Sequence, residues 1–273
     1  MICLPTPRMV SVRNVVIIVK QILEEWIVRE SGILSKTQCE TLLRSEETIS
    51  TLPTKRGNYP RYPLYEEISK KLHQWLSTGN FPVKSEACGL LLEENFVQER
   101  KGIYEKVSLV LASLNDSWTE ISDKEKHLQF SSIIKILGVR GLLDLLNIRH
   151  TQGSVDIFPP PVKVLIESFN EKHKPNANLT VGARALSKHC HRDSSEWWGA
   201  CAGSEQVKNE HAITVVMRIL EDASWINIHL LPHELKVIEV RCTEGYGARW
   251  SHDGKVFRGF LEPQMEDGHA AGW

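Results

Sequence analysis

The sequence lacks closely spaced cysteine pairs. Its six cysteines are scattered over 273 residues, and none of them forms a C-x-x-C pair. This scatter argues against the disulfide framework of a secreted domain. We therefore expect free thiols in a reducing compartment, the cytoplasm or the nucleus. A mitochondrial location is the alternative, because Arg8, Arg13 and Lys20 precede the first acidic residue, Glu24, as in transit peptides.

The chain also lacks a long apolar run and a strong charge of one sign. No stretch reaches the roughly 18 uncharged apolar residues of a membrane-spanning helix, so we expect no membrane partner. Lys and Arg number 33 against 34 Asp and Glu, which gives a net charge of −1. A nucleic-acid-binding domain is usually basic, so this balance predicts that nucleic acid is an unlikely partner.

Familiar catalytic motifs are missing as well. The sequence contains no G-x-S-x-G, no H-E-x-x-H, no phosphate-binding P-loop and no dinucleotide-binding G-x-G-x-x-G. It therefore predicts no cofactor and names no reaction. The leading hypothesis is a non-catalytic intracellular protein that binds a protein partner or a small ligand. An enzyme and an RNA-binding protein are the two alternatives.

The fold predicted from the pattern of apolar residues is α+β. Residues 1–150 read as a helical domain, because apolar side chains recur at spacings of three and four. Residues 151–161 contain "FPPP", and three consecutive prolines cannot continue a helix, so this segment is predicted to be a linker. Residues 162–273 read as about three helices on a small antiparallel sheet. The alternative to a linker between two domains is that the proline-containing segment 151–161 is a long loop inside one domain.

Three segments of the second half alternate between apolar and polar residues, as strands do. They are "WINIHLL", "KVIEVR" and "KVFRGFL". Successive side chains of a strand point to opposite faces, so Ile226, Ile228, Ile238 and Val240 share an apolar face. We expect the helix that begins near Ser204 to cover this face.

The opposite face of the same strands is predicted to carry a site. A hairpin through "LPHEL" would place His229 opposite Glu239 and Asn227 opposite Arg241. A carboxylate that orients a histidine, with an arginine nearby, is suited to general acid–base chemistry. The predicted catalytic residues are therefore His229, Glu239 and Arg241. The alternative is an ordinary solvated face with surface ion pairs.

Two further groups of residues are predicted to bind a ligand. The first group is Asn227 and Arg249, which would lie on the polar face of the sheet and contact a ligand there. Trp197 and Trp198 form the second group, because indole faces stack on bases, sugars and cations. The alternative is that one indole plugs the core while the other lies at the rim.

No metal site is expected, and the weak candidate ligands are His189, His191 and Cys201. On a continuous helix His189 and His191 point about 200° apart, so they cannot converge on one ion. We expect His189 to be a buried, hydrogen-bonded histidine instead. The stretch from Glu262 onwards is predicted to be a solvated tail.

Overall fold

The protein is described by a computed structural model over residues 10–29, 32–46, 57–82, 94–190 and 196–263. The chain divides into two compact units. The first comprises Met1–Ser45, Tyr62–Val83 and Glu94–Leu146, and the second comprises Glu46–Arg61, Lys84–Glu93 and Asn147–Trp273. The domain boundaries expected from the sequence, at residues 150 and 162, stay a prediction.

The first unit is helical. Its helices are α1 (Val12–Arg29), α2 (Lys36–Leu43), α3 (Leu64–Thr78), α4 (Glu94–Ser117) and α5 (Asp123–Leu145). Ser35 and Ser122 begin α2 and α5 with capping boxes, in which the serine and a residue three positions later satisfy each other's backbone amides. Because amphipathic helices bury one face, their apolar sides form a shared core around Trp75 and Phe130.

A buried ion pair lies inside this helical unit. The Arg100 Nε is 2.6 Å from the Asp144 Oδ2, and the Tyr104 hydroxyl donates to the same oxygen. Arg140 contributes a second guanidinium at 3.3 Å from Oδ1. Burial, and then the neighbouring Asp144 carboxylate, raise the pKa of the Tyr104 hydroxyl, so tyrosine is held in its neutral, donating form.

The second unit combines three helices with a four-stranded sheet. The helices are α6 (Val162–Phe169), α7 (Val181–His189) and α8 (Glu205–Glu221). The strands are β1 (Ala223–Leu231), β2 (Leu235–Cys242), β3 (Gly247–Ser251) and β4 (Phe257–Leu261). The strands pair in chain order and are all antiparallel. This arrangement confirms the predicted α+β fold.

The apolar face of the sheet lies against the helices. Ser204 caps α8 through a hydrogen bond from the Val207 amide, which fixes where that helix begins. The helix α8 packs on β2 and β3, whereas α6 and α7 pack on β4. Ile228 and Ile238 are fully buried there. This is the covered face that the strand alternation predicts.

The segment before α6 runs beside β1. Ile148 bridges to Ile226 and Ser154 bridges to His229. Backbone hydrogen bonds of 2.7–2.9 Å join Arg149, Gly153 and Val155 to the same strand. The outer edge of β1 is therefore occupied by part of the stretch that the sequence predicts as a linker.

Among the helices of the described residues, none is long and apolar enough to cross a membrane.

Candidate functional site

The polar face of the sheet has a different register from the predicted one. Asn227 lies opposite Glu239, and His229 lies opposite Val237. Leu231 pairs with Leu235 across the three-residue turn Pro232–Glu234, in which two consecutive residues adopt positive φ. This tight turn shifts the pairing by two residues relative to our expectation. The shift keeps all the polar side chains on one face, because strand side chains repeat every two residues.

We expected this face to be left open for a ligand, but it is buried. Asn227, Glu239 and Arg241 are only 0 %, 2 % and 3 % exposed. Thr151 and Ser154, from the segment beside β1, bind the Asn227 amide: its Nδ2 donates to the Thr151 hydroxyl, and its Oδ1 accepts from Ser154. The expectation failed because the covering residues lie more than 70 positions earlier in the chain.

Glu239 is the centre of a charged cluster on this face, which we call the sheet cluster: His229, Glu239, Arg241 and Arg249. The Arg241 Nε donates to Oε1 at 2.6 Å, and the Arg249 Nη2 donates to Oε2 at 2.7 Å. The His229 Nε2 lies 3.4 Å from Oε2. Both oxygens of this buried carboxylate are therefore engaged, as a buried charge requires.

The protonation of Glu239 follows from these neighbours. Burial on its own would raise the pKa of the carboxyl group, but His229 and the two guanidinium groups outweigh burial and lower the pKa to about 2. Glu239 is therefore a carboxylate at any physiological pH. Such a weakly basic carboxylate is a poor general base, because efficient proton transfer needs a pKa near the working pH.

Arg241 connects the sheet cluster to the end of β4. Its Nη1 donates to the main-chain oxygens of Gly245 and Glu262, at 2.7 Å each. Together with the bond to Glu239, these contacts account for a guanidinium that is almost fully buried. Arg241 is thus bound by Glu239, Gly245 and Glu262. The last of these bonds fixes the backbone of Glu262.

A second group of residues surrounds the Glu262 carboxylate, and we call it the His189 cluster: His189, Trp198, Phe260 and Glu262. The His189 Nδ1 is 2.7 Å from Oε1, and the Trp198 Nε1 donates to both carboxylate oxygens at 3.0 Å. The ring of His189 packs beside Trp198 and Phe260. The carboxylate therefore fixes the orientation and tautomer of the imidazole, with Nδ1 as the donor.

The other ring nitrogen of His189, Nε2, takes no part in the hydrogen bonds of the described residues. No described residue forms a hydrogen bond to its Nε2, and the side chain is 17 % exposed. By contrast, the His229 Nε2 is buried and faces Glu239. Of these two histidines, His189 is the one whose Nε2 does not face a described carboxylate. Glu262 is part of this cluster and not of a solvated tail.

The two tryptophans take different positions. Trp198 is 1 % exposed, whereas Trp197 is partly exposed. Tyr246 stacks on Trp197 at 4.2 Å between ring centroids, and the Arg218 guanidinium lies 4.4 Å from the centre of the same indole. This matches the alternative of one inward and one rim indole. A ligand-binding role for the pair stays a prediction; Trp198 belongs to the His189 cluster, and Trp197 packs against Trp198.

The candidate metal ligands do not form a site in the described part of the chain. Cys201 lies 3.1 Å from the Ser187 hydroxyl, and His189 is bound by Glu262. His191 lies outside the described residues. A different trio, Asp222, Cys242 and Glu244, brings its ligand atoms within 4.8 Å of one another.

That trio is explained without a metal. The Arg218 Nη2 is 2.6 Å from the Glu244 carboxylate, which neutralises it. Burial and the hydrogen bond to Glu244 raise the pKa of the Cys242 thiol to about 11, so the group stays protonated. The Asp222 carboxylate accepts a hydrogen bond from the Thr243 amide.

The sequence alone could not have indicated the pair His189–Glu262, because 73 residues separate the two side chains. The nearest signal was the clustering of histidine, cysteine and tryptophan in residues 185–203. That clustering gave His189 only as a metal candidate and a buried histidine. The partner is set by the fold, which brings the end of α7 against the end of β4.

Comparison with known families gives one match. A family model described as the CdiA C-terminal tRNase toxin domain matches residues 168–262, about a third of the chain. This segment extends from the end of α6 to Glu262, so it contains every residue of the sheet cluster and of the His189 cluster. No curated protein and no solved structure shows a significant match to the chain.

This match corrects two predictions. The prediction of a non-catalytic binding protein is wrong, because the matching family is named for an enzymatic activity on tRNA. The prediction that nucleic acid is an unlikely partner is wrong for the same reason. Both rested on the missing motifs and on the overall charge. The net charge of the whole chain gives no information about a few arginines that the fold holds in place.

Proposed function

We propose that residues 168–262 form a catalytic domain that cleaves RNA, with tRNA as the substrate class. The match to a tRNase toxin domain is the observation that carries this proposal. The geometry supports it, because that segment contains a histidine–carboxylate pair and two arginines bound to one buried carboxylate. Both are groups that phosphodiester chemistry uses.

His189 is the proposed acid–base group. Cleavage of a phosphodiester requires that one proton leaves the attacking oxygen and that one proton reaches the leaving oxygen. An imidazole exchanges protons near neutral pH, and such a positioned group typically contributes about 10² to 10⁴ in rate. Glu262 holds Nδ1 at 2.7 Å, which leaves Nε2 to face the substrate.

This proposal does not use as acid–base groups the residues that the sequence predicted as catalytic: His229, Glu239 and Arg241. Glu239 keeps its charge down to a pH of about 2, so it does not act as the base. Arg241 positions the Glu262 backbone through the bond from Nη1. His229 as a catalytic residue stays an expectation of the sequence, and one arm of the experiment tests it.

The experiment uses the purified full chain and a mixture of purified tRNAs, with products resolved on denaturing gels. We expect cleavage by the native protein and a loss of about 10²-fold or more in His189→Ala. His252→Ala is the matched control, because this histidine lies in the same unit and its only hydrogen bond among the described residues is a backbone one, from its amide to the Lys236 oxygen. Glu262→Gln tests the orienting role and should lower kcat more than it changes KM, because the ring is still present and only its orientation is lost.

Two results would contradict the proposal in different ways. If native protein leaves every tRNA intact, RNA cleavage is not the activity of this chain. If His229→Ala abolishes cleavage while His189→Ala does not, the activity stands and the assignment of His189 is wrong. Thermal unfolding of each variant separates loss of chemistry from loss of fold.

A further inference from the structure

One row of side chains crosses all four strands on the polar face. Asn227, Glu239, Arg249 and Gly259 are direct neighbours in the paired register. At the β1 end of the row, Thr151 and Ser154 complete the hydrogen bonds of the Asn227 amide. This end of the row is closed by the protein itself.

The β4 end of the row is not covered by any residue that the structure describes. Gly259 has a φ of +138°, a conformation that other residues rarely adopt, and apart from its two chain neighbours no described residue has an atom within 4 Å of where a Cβ would be. The register shifts at this point, between Arg249 and Trp250, which marks a β-bulge. Bulges and strand glycines are frequent where a strand must leave room for a ligand.

The charges of the row and of the neighbouring Arg241 do not balance. Glu239 carries one negative charge, and it is shared by the guanidinium groups of Arg241 and Arg249. These three groups sum to a net charge of +1. Arg241 is only 3 % exposed and its Nη1 is bound by two carbonyl oxygens, so the excess charge does not reach the surface there.

Arg249 is where this excess charge reaches the surface. Its Nε and Nη2 donate to Glu239, its side chain is 26 % exposed, and no described residue forms a hydrogen bond to its Nη1. The guanidinium is therefore fixed by the buried carboxylate, while one edge remains for another acceptor.

We propose that the space above Gly259 binds a backbone phosphate of a polynucleotide, held by the exposed edge of Arg249. Guanidinium groups recognise phosphate oxygens by paired hydrogen bonds. Glu239 holds Arg249 before the ligand arrives, so little side-chain freedom is lost on binding. The inference rests on the proposed function, since it names a contact of the same RNA substrate.

This phosphate subsite is separate from the proposed chemistry at His189. Glu262 follows Leu261, which pairs with Gly247 beside Arg241, so the Glu262 side chain leaves β4 on the opposite face from the Arg249 row. Arg241 joins the two, because it donates to Glu239 on one side and to the Glu262 backbone on the other. The subsite therefore contributes to binding, and it is measurable without cleavage.

The experiment measures binding of a fluorescent 2′-O-methyl RNA oligonucleotide, which cannot be cleaved through its 2′ oxygen. Fluorescence anisotropy at several salt concentrations gives the slope of log Kd against log salt. We expect Arg249→Gln to reduce the slope by about 0.7, the value of one phosphate contact on a single strand. Arg249→Lys should keep the slope and weaken binding, because it keeps the charge and loses the paired donors.

The control is Lys70→Gln, which makes the same change of charge on the exposed side of α3 and should leave the slope unchanged. An unchanged slope in Arg249→Gln would overturn the inference. If that variant does not fold, Arg249→Lys decides: affinity equal to that of the native protein overturns it.

A competition arm separates RNA from free phosphate. Inorganic phosphate should displace the oligonucleotide no better than chloride at equal ionic strength. Stronger, Arg249-dependent displacement would mean a site for free phosphate and would overturn the inference. Because the probe is not cleaved, Arg249-dependent binding without tRNA cleavage would retain this subsite and reject the proposed activity alone.

Discussion

Arg241 donates a 2.7 Å hydrogen bond from Nη1 to the main-chain oxygen of Glu262. This bond joins a residue in the middle of the sheet's polar face to the residue whose carboxylate orients His189. A rigid connection of this kind lets packing on one side of the sheet fix a side chain on the other. Arg241 is accordingly a positioning residue in our proposal.

Replacing Arg241 with Gln should destabilise the second unit strongly. The change leaves the buried Glu239 with one guanidinium instead of two and leaves two carbonyl oxygens without their donor. Removal of one partner of a buried ion pair costs about 3–5 kcal/mol. Urea unfolding measures this loss, and Lys70→Gln, at an exposed pair, should cost about 1 kcal/mol or less. Equal losses in the two variants would show that Arg241 is not structurally important.

Acid should weaken the protein through Glu239. Its pKa is lowered in the folded chain from 4.5 to about 2, so its stabilising effect is present above about pH 4.5 and is lost as the pH falls towards 2. The shift corresponds to about 3 kcal/mol. The difference in unfolding free energy between native protein and Glu239→Gln should therefore shrink over that range. A constant difference from pH 5 to pH 2 would contradict the low pKa.

Two neighbouring positions on β1 should respond differently to truncation. Ile228→Ala removes a fully buried side chain and should cost about 2–5 kcal/mol. His229→Ala should cost about 1 kcal/mol, because the ring's polar contacts, with Glu239 and with the Leu230 oxygen, are both long at 3.4 Å and the ring lies outside the apolar core. Thermal or urea unfolding measures both losses, and the reverse order would show that the faces of β1 are misassigned.

The cysteines should differ in their reaction with iodoacetamide. Burial raises the pKa of the Cys39 and Cys242 thiols to about 11, and burial with the neighbouring Cys201 thiol raises that of Cys190 to about 12. Only the thiolate reacts, so these three should be modified slowly at pH 8 in the folded chain. Mass spectrometry of peptides after timed labelling gives each rate. Denatured protein is the control, and equal rates in both states would contradict the burial.

The sequence predicts the second unit's layers well, because local patterns decide them. Alternation in β1 and β2 assigned Ile228 and Glu239 to their correct faces, since parity is independent of exact pairing. Ser204 marked the start of α8 by its capping chemistry. The register was wrong because His233 and Glu234 both adopt positive φ, which closes the turn in three residues. The residue types histidine and glutamate do not by themselves predict a positive φ.

The candidate site was harder to predict, because distant contacts form it. Burial of the polar face depends on Thr151 and Ser154, which the pattern assigned to a linker. The His189 cluster depends on Glu262, in a stretch whose composition suggested a solvated tail. Such contacts follow from how the strands and helices pack, and periodicity carries no information about them.

The covered edge of β1 has a consequence for self-association. An exposed edge strand presents unpaired amides and carbonyls that can recruit a strand from another molecule. On the β1 side this template is already used by residues 148–155. On β4 the bulge and Gly259 interrupt the regular ladder. The sheet is thereby protected against edge-to-edge aggregation at high concentration, and mutations that detach residues 148–155 should make the protein prone to form fibrils.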